Sequence, residues 1–134
     1  MTLNTKSAHQ RALARTGYEL RSELVRHRWR LGRLFASHCL EIALMLISEQ
    51  LDFDPMATIL EARCMCWPCS DADGFRKTTL ATLEREGRKL LAKGQDDAAM
   101  AAAALWYALK YDSNPTGHDL LDLVASWQTD AARQ

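Results

Sequence analysis

The sequence predicts an all-α protein: a single-domain bundle of about five helices with a long first helix. Three observations carry that expectation. Apolar residues recur at helical spacing along most of the 134 residues. No run alternates as a strand would, and the single Asp-Gly pair, Asp73-Gly74, lies between helical patterns rather than β-branched ones. Helix start and stop signals are frequent. A chain of this length can bury roughly two-thirds of the surface its unfolded form exposes, so a core needs neither disulfide nor metal.

The expected helices span about 7–51, 55–63, 75–93, 96–111 and 117–130. Ser7 to Gln10 and Thr16 to Glu19 each read as a capping box, a hydroxyl followed three residues later by Gln or Glu. The second box raises a break near Gly17. Against it, Leu13, Leu20, Leu24, His27, Leu31, Leu34, Phe35, His38, Ile42 and Met45 keep one phase at about 100° per residue. That continuity through Gly17 and Gly32 predicts one long helix or two nearly coaxial pieces. Asp54-Pro55 is a cap with proline at the first helical position, and Lys93-Gly94 is a C-terminal stop. Ala98, Ala99 and residues 101–104, all alanine, form a patch that lets a neighbouring helix come close. Thr116 to Asp119 opens the last helix, with Asp119 at the favourable end of the dipole. Residues 64–74 are the irregular segment.

Formal net charge is zero, with 17 Lys+Arg and 17 Asp+Glu, which removes the simplest argument for a nucleic-acid binder. The zero hides an asymmetry. Residues 1–33 hold eight Lys/Arg and two Glu, a net of +6, and residues 34–134 hold nine Lys/Arg and fifteen Asp/Glu, a net of −6. A basic arm beside an acidic body predicts either an anionic partner or internal pairing. Opposite the apolar stripe of the first helix lie Arg11, Arg15, Arg26, Arg30 and Arg33, with Tyr18, Val25 and Trp29 beside them. Arginine mixed with large aromatics suits an interface hot spot, and it would also stack bases and hold phosphates. The structural alternative packs Tyr18 and Trp29 against the C-terminal helices under arginine stems.

The chain has four cysteines. Cys64, Cys66 and Cys69 make a C-x-C overlapping a C-x-x-C in the irregular segment. Cys39 lies about 18 Å before the end of the long helix, and the second helix returns by about 13 Å. Cys39, Cys64, Cys66 and Cys69 are therefore candidate ligands for one structural zinc, with His38 as a substitute. The alternative is no cofactor, with Cys39 an ordinary buried thiol. A thioredoxin-like redox motif would place its C-x-x-C after a strand, and none precedes this one.

No G-x-G-x-x-G, P-loop or H-E-x-x-H occurs, and Asp71 to Gly74 lacks the glutamate of a calcium loop at position 80. An enzyme is not expected. Met1 to Lys6 is polar, and the apolar run at 42–47 falls far short of the about 20 residues a spanning helix needs. The expectation is a cytoplasmic protein.

The reading that fits is a small interaction protein of inhibitor or adaptor type, holding an anionic protein or nucleoprotein through the Arg/Trp/Tyr face. That class includes phage- and plasmid-encoded inhibitors of host machinery such as anti-CRISPR proteins. The alternatives are a DNA- or RNA-binding regulator using the basic arm, and a zinc- or thiol-dependent enzyme around Cys64 to Cys69.

Overall fold

The computed structural model describes residues 8–26, 31–65 and 73–133, and within them the chain forms six α-helices and no strand. These are α1 (Ala8–Val25), α2 (Leu31–Ser48), α3 (Pro55–Met65), α4 (Asp73–Ala92), α5 (Asp96–Tyr111) and α6 (Gly117–Arg133). The all-α expectation holds. The long first helix does not, because its span divides into α1 and α2, and Arg26 already lies in a turn.

The two halves pack side by side rather than end to end. Gly17 lies against Leu44, and Arg21 Nε reaches Glu41 Oε2 at 2.6 Å. Numbers rise along α1 as they fall along α2, so the pair is antiparallel. A Cβ at Gly17 would stand 3.1 Å from Leu44 Cβ, so this glycine serves close helix approach and not a break. Thr16 correspondingly caps nothing. It lies inside α1, where its hydroxyl donates to the Ala12 carbonyl at 2.9 Å and meets Gln95 Oε1 at 3.1 Å.

The main core runs through α1 to α5. Leu13, Leu20 and Leu24 of α1, Phe35, Leu40 and Leu44 of α2, Ile59 of α3, Leu83 and Leu90 of α4 and Leu105 and Leu109 of α5 are all buried in it. Helix α2 is apolar on almost every side, and it packs against α1, α3, α4 and α5. Its buried Ser37 and Ser48 donate back to the Leu34 and Met45 carbonyls, at 2.9 and 2.8 Å, which satisfies them without a partner helix. Met45 departs from the expected stripe and is 52% exposed. The alanine patch of α5 is buried as its composition implied, and α5 packs against every other helix.

A smaller core joins α5 to α6 around Ala103, Val124 and Trp127. Trp127 lies over Gly87 of α4, where a Cβ would come within 2.3 Å of its ring. The ends follow the punctuation signals. Asp54 Oδ1 accepts the Ala57 N–H at 3.2 Å ahead of Pro55. Gly94 takes φ +75° as α4 ends, with Gln95 N–H on the Leu90 carbonyl at 2.9 Å. Thr116 and Asp119 exchange hydrogen bonds of 3.0 and 3.1 Å, a capping box on α6.

Candidate functional site

Helix α1 has two chemically distinct faces. Leu13, Leu20 and Leu24 point into the core, with Gly17 beside them against α2. Arg11, Arg15, Tyr18 and Ser22 follow one another at steps of four, three and four, the repeat of the opposite face. Arg11, Arg15 and Tyr18 are exposed, as is Arg26 just past the helix end. Tyr18 is 72% exposed, so it does not pack on the C-terminal helices as the structural alternative required. A shallow cavity of about 540 Å³ runs along this face, lined by Tyr18, Glu19, Ser22, Glu23 and Arg26.

The remaining members of the expected face divide. Arg33 belongs to the first turn of α2 and is half-buried, so the stripe does not continue straight from Arg26 to it. Trp29 and Arg30 lie outside the described residues, as does the side chain of Val25. Exposed carboxylates were not foreseen within this face. Glu19 and Glu23 stand beside Tyr18 and interrupt its positive charge.

The inner seam of α1 and α2 holds the charged groups that the helix pairing covers. Arg21 and Glu41 form the ion pair across it, and His38 lies one turn before Glu41 on α2. The His38 side chain is buried, and its Nδ1 has no hydrogen-bond partner among the described residues. Burial first, and then the Arg21 guanidinium, hold its imidazole below the usual histidine range, while Glu41 works the other way.

Of the candidate zinc ligands, Cys39 is 1% exposed within the main core and Cys64 is exposed in the last turn of α3. Neither forms a disulfide among the described residues. Cys66 and Cys69 lie outside the described residues. Among the described residues no three His, Cys, Asp or Glu side chains gather as a metal site, and no helix is long and apolar enough to cross a membrane.

Neither a protein-family model, nor a curated protein, nor a solved structure matches this chain.

Proposed function

We propose that the protein is a small non-enzymatic binding protein, of inhibitor or adaptor type, that holds an acidic protein or nucleoprotein partner on the outer face of α1. The observation that carries this reading is Tyr18. A large aromatic side chain is left 72% exposed between Arg11, Arg15 and Arg26, on a helix whose other face is fully used by the core. Tyrosine and arginine are the side chains that contribute most per residue at interfaces. Covering them removes apolar area from water while the helix already fixes the backbone, which leaves a side-chain ordering cost of about 0.5–1.5 kcal/mol for each residue immobilised.

Glu19 and Glu23 favour a protein surface over a bare nucleic-acid backbone. Two carboxylates beside the arginines repel phosphates, whereas a folded partner can answer them with its own cations. The partner is encountered in the cytoplasm on this reading.

The test is native mass spectrometry of the untagged protein recovered from its host, beside an Arg15→Ala, Tyr18→Ala variant. The wild type carries a stoichiometric protein or nucleoprotein mass that the variant lacks, and both give the same helical circular-dichroism spectrum. A complex equally abundant with the variant contradicts the assignment of this face.

A further inference from the structure

The last two turns of α5 carry three aromatic residues, Trp106, Tyr107 and Tyr111. Helix α6 passes this end and presents Asp119 and Asp122, one turn apart. Between the helices is a shallow, open cavity of about 400 Å³ lined by these five residues and Leu123.

Its aromatic wall is non-planar. Trp106 meets Tyr111 edge to face at 6.3 Å and 76°, and Tyr107 lies 4.7 Å from Tyr111 at 53°. The buried Trp127 braces Trp106 from behind at 6.4 Å and 85°. Opposite stand the carboxylates. Asp119 accepts the Thr116 N–H at 3.0 Å and also bonds the Tyr107 hydroxyl. The Thr116 backbone, the Thr116 hydroxyl and then Tyr107 hold its carboxyl below the usual range, so it is an anion. Asp122 is exposed and lies 3.3 Å from His118 Nε2 on its own helix.

The rings and carboxylates of this lining attract positive charge. Aromatic faces carry negative potential, and the aspartates carry full charge. Trp106 already draws a cation of the protein's own, with Lys110 Nζ 6.0 Å from its ring centroid. Among the described residues no three metal-ligating side chains gather here, and two carboxylates fall short of the six or more oxygen ligands that a strongly hydrated metal ion such as calcium takes. A weakly hydrated organic cation gains from both the rings and the carboxylates.

We propose that this cavity binds an organic cation, an alkylated ammonium or guanidinium group, with Trp106, Tyr107 and Tyr111 as its wall and Asp119 and Asp122 as its counter-charge. The site is separate from the α1 face and does not depend on it.

The test is an NMR titration that follows the Trp106 indole N–H. The probes are choline, its neutral isostere dimethylbutanol, and the N-acetyl amides of trimethyl-lysine and arginine. At least one cation shifts the resonance saturably, and the neutral isostere does not. Tyr111→Leu and Asp122→Asn each weaken binding by about threefold or more; both sites are exposed, and circular dichroism verifies that the variants fold. Tighter binding of choline indicates a free small molecule, and tighter binding of an amino-acid amide indicates a side chain presented by a peptide. No saturable shift with any cation, or an equal shift with dimethylbutanol, overturns the proposal.

Discussion

At Gly87 a methyl group would stand 2.3 Å from Cζ3 of Trp127, and that indole, 2% exposed, is the largest side chain of the smaller core. Neither can move without reopening the α4–α6 contact. Gly87→Ala should therefore destabilise the fold by about 2 kcal/mol, read as a lowered thermal midpoint, even though alanine is the better helix former. His38 gives a prediction in pH. Its folded pKa lies below that of the unfolded chain, so unfolding takes up a proton between the two values. Stability from this group is complete above the unfolded value of about 6.5 and is lost as the pH falls through the folded one. Denaturant midpoints from pH 7.5 to 5 should decline in the wild type and decline less in His38→Leu. The leucine variant should be near neutral or more stable at the acid end, because it removes a buried nitrogen that has no partner among the described residues. A steeper decline in the variant would contradict this account of the seam.

Helix α1 divides cleanly by face, and substitutions should divide with it. Leu24→Ala empties a fully buried position and should cost about 2–5 kcal/mol. Arg15→Ala and Tyr18→Ala touch only the outer face and should stay within about 0.5 kcal/mol of wild type in a urea melt. The same helix shows where the sequence was legible. The all-α class, the buried alanine face of α5, the Asp54-Pro55 start, the Gly94 stop and the helix start at Thr116–Asp119 could all be read, because each is a local signal whose geometry the chain keeps. The division of α1 from α2 could not. The apolar phase carries across residues 26–31 with no proline, and Gly17, which resembled a breaker, instead lets Leu44 approach. Periodicity reports which side of a helix is apolar. It does not report whether the next turn continues the helix or folds it back. Phase alone placed Arg11, Arg15 and Tyr18 opposite the apolar stripe, but it could not decide between an exposed face and one packed on the C-terminal helices. The cavity at Trp106 was not, because it requires α6 to bring Asp119 and Asp122 beside an aromatic end of α5.

Across the whole molecule the charge remains uneven, with a net of +6 in residues 1–33 and −6 beyond. Part of that difference is closed within the fold, since Arg21 pairs with Glu41 of α2. Arg15 and Arg26 are exposed on one side, and their charge should act mainly on the rate and orientation of encounter. Raising the salt concentration should accordingly weaken the partner complex only modestly. A steep, linear fall of log affinity with log salt would instead indicate phosphate contacts and favour direct nucleic-acid binding. The central claim, that the outer face of α1 is the contact surface, is tested most directly by site-specific photocrosslinking in the host. A benzoylphenylalanine is placed at Tyr18 and, in a separate protein, at Ala81 on the exposed side of α4. The account predicts one discrete crosslinked species from position 18, absent from position 81 and abolished by Arg11→Ala with Arg15→Ala. Crosslinks of equal yield from both positions, or none from position 18 where position 81 gives one, would contradict it.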